Sequence, residues 1–397
     1  MIHKITIENY FSIAEEQTVD FGIAANVPDL SCFVPSRANH EKRLPTIIGF
    51  FGANASGKST VLRSVVSILS FVSDSFFLKP DGIIPYFVSY ASGDWLEKPT
   101  KISIEFDCPL PEGNQEYLFK YQLTVLPGKY GSARSVGMES LFYKPHGKWK
   151  NLFERDGQKF RFGKEFGISD NDQRVEFIRP NASLVNALAQ FNHRESQLFL
   201  QYVLSTQKNI TTFGIVSDHT DKVVDFYKSN PELLENLRGE IRRVDIGVES
   251  VDIVEGKDGS FLAFQHNGLT LPLILDDESN GTQQFIRIFP KIKNALDTGS
   301  LAIIDELDSV LHPSLINEIF SWFNDPYRNA NKAQLLFSAH NPALLDALQK
   351  EQVFLTEKKS PEATRVYGAK DIKGLRREPS LSKKYLSGEL GAIPVIG

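Results

Sequence analysis

The sequence predicts an α/β head assembled from two distant stretches, residues 1–78 and 276–397, with an antiparallel β-rich lobe over 79–180 and a helical insertion plus hairpin over 181–275 between them. Three observations carry this division. A short, nearly continuous apolar run over 44–52 passes through a loop of small residues into helical spacing, the order of a buried strand, a turn and a helix. Strand-length pieces between 101 and 162 alternate apolar and polar residues, as half-buried antiparallel strands do. From 276 onward, strand and helix patterns alternate again, which is α/β organisation.

Taken in order, residues 2–8 and 17–21 read as two strands joined by a turn, and 26–45, rich in Pro, Ser, Asn and charge, as a loop. After the strand over 44–52, Val61, Leu62, Val65, Val66, Leu69 and Val72 recur at helical spacing. Segments 101–108 and 117–125 flank turn chemistry at 109–116, and 140–143 and 159–162 continue the strand pattern. Residues 182–191 and 197–205 are helical, and Asn230 with Pro231 opens a further helix. No heptad pattern is sustained, which excludes a long coiled coil. Segments 248–256 and 260–266 form a predicted hairpin.

Length suggests two or three folded units, and 41% hydrophobic with 23% charged residues is the balance of a soluble globular protein. No uninterrupted apolar run reaches the roughly 18 residues of a membrane span. The first residues alternate like a strand and lack the apolar core of a secretory leader. Cys32 and Cys108 alone build neither a disulfide framework nor a cysteine zinc site, so a cytoplasmic protein without a membrane partner is expected. A net charge of −5 supplies no global basic field toward nucleic acid. The pairs Arg242-Arg243, Lys358-Lys359, Arg376-Arg377 and Lys383-Lys384 read as solvated surface charge and leave nucleic-acid contact open.

The sharpest local signal is the GxxxxGK[ST] pattern running from Gly52 through Asn54, Ser56, Gly57 and Lys58 to Ser59, with Thr60 following. It stands after a predicted buried strand and before a predicted helix, where backbone N–H groups can wrap phosphates and the helix terminus adds positive charge. Lys58 is placed to reach the β- and γ-phosphates and Ser59 to ligate Mg²⁺. The apolar run over 300–304 ends in Asp305 and Glu306. A carboxylate at the carboxyl end of a parallel strand lies at the ligand edge of the sheet, so Asp305 is expected on Mg²⁺ and Glu306 on the attacking water.

Further pieces follow in a telling order. Ser279 and Gly281 open a predicted helix upstream of the acid strand, which Pro290 should kink or shorten. Leu307-Asp308 and His312-Pro313 follow the acid pair, and His340 ends another apolar strand, with Asn341 and Pro342 capping the next helix. In this order the set resembles that of ABC/SMC-type, RecF-like ATPases, and the fold implied is an ABC-type P-loop head carrying a β-rich lobe and a helical insertion. The resemblance implies ATP and Mg²⁺ as cofactors and hydrolysis through Glu306 and His340. It places Ser279 and Gly281 on the γ-phosphate held by a second copy, with Asp308 in a loop crossing that interface. The partners implied are therefore a homodimer or higher homo-oligomer. The glutamine through which such heads sense the inserted lobe is not found, since no Gln lies between Gln17 and Gln115, and a replacement is sought over 80–95.

The segments over 5–13 and 385–394 resemble soluble ATPases of prokaryotic phage-defence systems, the AbiL/RloA type, with the PtuA and AriA types as cousins. That likeness implies a separate effector, a nuclease of TOPRIM-like or HNH kind. Residues 353–358 read as a core strand, so the effector is expected to be another protein. A DNA-repair or chromosome-maintenance ATPase of RecF/SMC kind is the alternative. A clamp that does not hydrolyse is the third reading, and Glu306 argues against it.

Overall fold

The computed structural model describes residues 1–38, 41–109, 115–169, 171–216, 218–244, 247–257, 259–358, 362–376 and 380–393. Lys359, Arg377, Pro394 and the turn over 110–114 therefore lie outside the described residues.

Two sheets build the molecule. The head sheet runs in the order Gln207–Lys208, Leu301–Ile304, Gln334–Ser338, Ile47–Phe51, Val353–Glu357 and Arg365–Gly368, parallel except for the last strand. The second sheet is antiparallel. Ile2–Glu8 pairs with Gln17–Asp20 on one side and with Thr100–Pro109 on the other, and the sheet continues through Glu116–Pro127, Ser132–Lys144, Lys150–Asp156 and Lys159–Phe162. The strands of the expected lobe thus extend a sheet begun by the N-terminal hairpin.

Strand alternation makes the head sheet the middle layer between two cores. Ile48, Phe50, Ile303, Leu336 and Phe354 face one core, and Ile47, Phe51, Ala302, Ile304, Leu335, Phe337, Val353 and Leu355 face the other. Parallel strands covered on both faces read as continuous apolar runs, which is why these were legible in the sequence. The helix Lys58–Asp74 fills the first core between the two sheets. With the turn that follows, to Phe77, it is long and apolar enough by length and composition to cross a membrane, although polar residues interrupt it and no continuous apolar run of that length occurs in it. It is mostly buried here, with Val61, Leu62, Val65, Val66, Ile68, Phe71 and Val72 in the core.

The insertion divides between the cores. Helices Leu184–Gln190 and Arg194–Leu204 join the first, while Thr220–Ser229, Pro231–Val244 and the hairpin of Val248–Gly256 with Gly259–His266 join the second. Between them the insertion gives the head sheet its edge strand, Gln207–Lys208. Two expectations are corrected. Residues 26–45 are not wholly loop, because Phe33–Pro35 and Arg43–Pro45 pair antiparallel, Phe33 opposite Pro45 and Val34 opposite the buried Leu44. Of the kink or shortening expected at Pro290, the shortening is overturned, since the helix Asn280–Thr298 runs through it. Proline cannot donate to the carbonyl of Ile286 four residues back, and the buried Tyr227 hydroxyl donates to that carbonyl instead, at 2.9 Å.

A buried ion pair knots the lobe to the insertion. Arg155 and Glu139 are both fully enclosed, with the guanidinium 3.3 Å from the carboxylate and donating to the carbonyls of Ala182 and Arg179. The carboxylate also accepts from Tyr121, Ser183 and the Leu184 N–H. Removing one partner leaves a buried charge unpaired, so Glu139→Ala is expected to lower unfolding stability by about 3–5 kcal/mol. A urea titration reads this as a lower midpoint; an unchanged midpoint would contradict it.

Candidate active site

The phosphate cradle is held from behind. A side chain at Gly52 would collide with the Thr356 carbonyl, and one at Gly57, whose φ of 108° is also unfavourable, would collide with Thr364. Ala55 is left-handed at φ 60°. The Ser56 hydroxyl lies 2.6 Å from that of Thr356. Thr364 Oγ1 lies 2.9 Å from the Ser56 carbonyl and 2.8 Å from Ser12 Oγ, which is 2.9 Å from Thr60 Oγ1. The side chains of Ser56 and Thr60 are thus committed to the loop's support, and their backbone N–H groups close the turn on the Ala53 and Gly57 carbonyls. Asn54 is exposed at the rim.

Around the cradle converge residues from three adjacent strands. Lys58 Nζ donates to the carbonyls of Gly52 at 2.9 Å and Ala53 at 3.0 Å, and to His340 Nδ1 at 3.2 Å. An ammonium only donates, so Nδ1 accepts and the ring proton sits on Nε2, leaving an N–H on the exposed histidine for an anion. Burial lowers the Lys58 pKa, while Asp305, Asp308 and Glu306 push it back up. The Ser59 hydroxyl donates to Asp305 Oδ1 at 3.0 Å, and Ser338 donates to the same oxygen. Asp305 is 2% exposed. Glu306 sits half-buried in the left-handed region at φ 51°, its N–H held by Ser338 Oγ at 2.8 Å. A non-glycine residue there is strained, and the surrounding bonds must hold it. Asp308 Oδ2 accepts from the backbone N–H of His340 at 2.8 Å and of Asn341 at 2.5 Å, which ties the acid loop to the histidine loop. His312 serves as a helix cap, accepting from the Ser314 N–H at 3.2 Å.

Ser279 and Gly281 lie apart from this group. Ser279 is exposed and caps the helix Asn280–Thr298, its Oγ accepting from the Thr282 N–H at 3.1 Å. A Cβ on Gly281 would come within 3.3 Å of the Val310 carbonyl, and nothing on the cradle is among its nearest neighbours. The buried Glu278 just before them bonds His266 Nε2 at 2.7 Å, which fixes the hairpin to this helix start.

Two supporting residues escaped the sequence reading. Ser338 stands at the end of its strand beside Asp305, a position open to inference once the two strands are taken as neighbours. Asn209 follows the edge strand Gln207–Lys208 and brackets Asp305 with both ends of its amide. Its Nδ2 donates to the Asp305 carbonyl at 3.0 Å and its Oδ1 accepts from the Asp305 N–H at 2.8 Å. No local signal announces it. In the window 80–95 the strand Ile84–Val88 pairs with Ser132–Lys144 of the antiparallel sheet, and its Val88 carbonyl accepts from the Phe11 N–H at 2.9 Å.

Among solved structures the chain is similar to the SmcHead bound to the C-winged helix domain of ScpA, at 13% identity and TM-score 0.48, covering 96% of this chain and 99% of that one. The SMC head domain from Thermotoga maritima is similar at 12% identity and TM-score 0.41, covering 92% and 98%. A retron Vc95 probable ATPase of Vibrio cholerae serotype O1 biovar El Tor is 20% identical over 358 residues, 79% of this chain and 68% of that protein. The profile of the family described as "AAA domain, putative AbiEii toxin, Type IV TA system" matches residues 47–346, a span that holds the cradle, the acid pair and the histidine and well over half of the sequence, and the chain belongs to that family.

Proposed function

We propose that the protein binds and hydrolyses ATP with Mg²⁺ through a head formed by residues 1–78 and 276–397, that two copies close on the nucleotide, and that this cycle gates a separate toxic effector in antiviral defence. The observation that carries the chemistry is the meeting of the Ser59 hydroxyl and the Asp305 carboxylate, 3.0 Å apart, beside Lys58. That donor set fits Mg²⁺, which favours hard oxygens and keeps water and substrate phosphates as its remaining ligands. Among the described residues no cluster of three His, Cys, Asp or Glu offers a closed metal cage, as such a shared site would not need. Mg²⁺ held by Ser59 and Asp305 would neutralise phosphate charge. Lys58 binds the β- and γ-phosphates, backbone N–H groups of the loop that are not spent within it wrap them, Glu306 takes a proton from water, and the Nε2–H of His340 donates to the γ-phosphate.

The dimer follows from incompleteness. Ser279 and Gly281 present a capped, exposed helix start away from their own cradle, so the anion they suit is one held by another copy. Specific activity should therefore rise with protein concentration in the micromolar range. A specific activity that stays flat while light scattering reports monomers would sink the shared-site reading.

Family membership and the retron ATPase relative support the defence setting, and an effector nuclease of TOPRIM-like or HNH kind is the partner we infer. Co-purification with the product of the neighbouring gene, followed by a nuclease assay with and without ATP, tests it. Tight, salt-steep, ATP-dependent duplex binding by the isolated chain would favour the DNA-repair reading instead.

Asn209 acts in this scheme as a positioning residue for Asp305. Asn209→Ala strips both backbone bonds from the acid and is expected to lower kcat about tenfold, on the order of 1.4 kcal/mol, with KM for ATP changed less than about threefold. Steady-state phosphate release measures the split; a raised KM with kcat unchanged would assign Asn209 to binding.

A further inference from the structure

Residues 385–393, part of the segment that carries the defence-ATPase likeness, dock on the cradle itself. The Ala392 carbonyl accepts from the Ala53 N–H at 3.1 Å, and the same carbonyl accepts from the Tyr385 hydroxyl at 3.0 Å. The Leu390 carbonyl accepts from the Tyr367 hydroxyl at 2.9 Å. Gly391 and Ala392 are consecutive left-handed residues, at φ 71° and 58°, and a Cβ on Gly391 would stand 2.5 Å from Tyr367 Oη. Leu390, Ala392 and Tyr385 are buried in the same core as Phe51, the residue before Gly52. At its other end the helix Leu381–Leu386 is tied to the turn after His340: Asp346 accepts from the Ser382 N–H at 3.0 Å and from the hydroxyls of Ser380 and Ser382.

The segment therefore spans from the histidine loop to the first half of the phosphate loop. We propose that residues 385–393 are a positioning element of the nucleotide site, which sets the course of Gly52–Ala53 through the Ala392 carbonyl and makes ATP affinity depend on its docking. The chemistry is specific to this turn. Ala53 spends its N–H on Ala392 and not on a phosphate, so the loop is anchored at its entry and the later N–H groups are left to converge. Two left-handed residues aim the carbonyl, the buried Tyr385 hydroxyl holds it, and the half-buried Tyr367 hydroxyl holds the Leu390 carbonyl two residues earlier. By thermodynamic reciprocity, whatever loosens the segment weakens ATP, and ATP must tighten the segment by the same factor. This inference rests on the reading of residues 52–60 as an ATP site.

The test uses the full chain and a fluorescent ATP analogue with Mg²⁺. Ala392→Gly accepts the left-handed backbone and should bind within about twofold of wild type. Ala392→Val, a branched residue in that region, should bind about tenfold more weakly or worse. Tyr385→Phe removes one donor from the carbonyl and should cost about threefold. The nucleotide-free melting temperature of Tyr385→Phe should stay close to that of wild type while its affinity falls, which a merely structural role would not allow. Hydrogen exchange should show 385–393 slowed by the nucleotide. Should Ala392→Val fail to fold, Tyr385→Phe with the exchange measurement decides. Wild-type affinity in Tyr385→Phe together with nucleotide-insensitive exchange over 385–393 overturns the proposal. Absence of ATP binding by the wild type instead overturns the ATPase reading beneath it.

Discussion

Glu306→Gln is expected to stop phosphate release while ATP stays bound, and to convert the protein into a dimer that persists in ATP and Mg²⁺. The substitution keeps the volume of the side chain and the left-handed turn, whose N–H bond to Ser338 is a backbone contact at 2.8 Å and untouched by the change. What it removes is the group that accepts a proton from water. General-base contributions are about 10²–10⁴ in rate, so turnover should fall at least a hundredfold. The cradle, Lys58 and the Ser59–Asp305 pair remain, so nucleotide affinity should hold. If two copies share each nucleotide, blocking hydrolysis stabilises the closed state, and light scattering should report twice the monomer mass at micromolar protein. A variant that binds ATP, releases no phosphate and stays monomeric would falsify the shared-site reading. A variant that turns over like wild type would instead remove Glu306 from the chemistry.

Lys58→Ala should act one step earlier, on binding. The ammonium is held by the Gly52 and Ala53 carbonyls and by His340, so it is aimed before the nucleotide arrives. Charge-assisted hydrogen bonds contribute about 1.5–3 kcal/mol each, and losing those to the β- and γ-phosphates should weaken ATP on the order of a hundredfold or more. The carboxylates of Asp305, Glu306 and Asp308, whose field raises the Lys58 pKa against the burial that lowers it, would then face the phosphates without this counter-charge. Calorimetry or fluorescence titration should find no binding at concentrations that saturate wild type. Unchanged affinity would take Lys58 out of the phosphate site. The wild type also carries a pH signature. Because burial sets the Lys58 pKa below that of an ordinary lysine, the ammonium is lost sooner as pH rises. ATP affinity should fall on the alkaline side before free lysine titrates, and Lys58→Arg should flatten that fall. The sign for stability is the reverse. The cost of burying the charged form is present below the lowered pKa and is relieved above it, so stability should not fall with affinity.

How much of this was readable without coordinates depends on how local each feature is. The cradle, the acid pair and the histidine were legible because each is a strand followed at once by its functional turn, and the strands Ile47–Phe51, Leu301–Ile304 and Gln334–Ser338 are apolar but for Gln334 and Ser338 at the ends of the last. Period-2 and helical spacing likewise revealed the N-terminal hairpin, the strands of the lobe and the helices of the insertion. The cap at Ser279 was visible as a polar residue opening a helical pattern.

Other features exist only as contacts between residues far apart in the chain, and a contact of that kind leaves no periodicity. Asn209 could not be found until the sheet order placed Gln207–Lys208 beside the acid strand. Pro290 looked disruptive because its missing N–H is a local fact, whereas the Tyr227 hydroxyl that satisfies Ile286 comes from another helix. The pairing of Ile2–Glu8 with Thr100–Pro109 and the docking of Ala392 on Ala53 are of the same sort. The sequence alone determined which chemical groups stand at the ends of which strands, since backbone and burial pattern repeat every few residues. Tertiary structure alone decided which of those groups touch, since strand order and the anchoring of buried polar atoms are settled by packing across the whole chain.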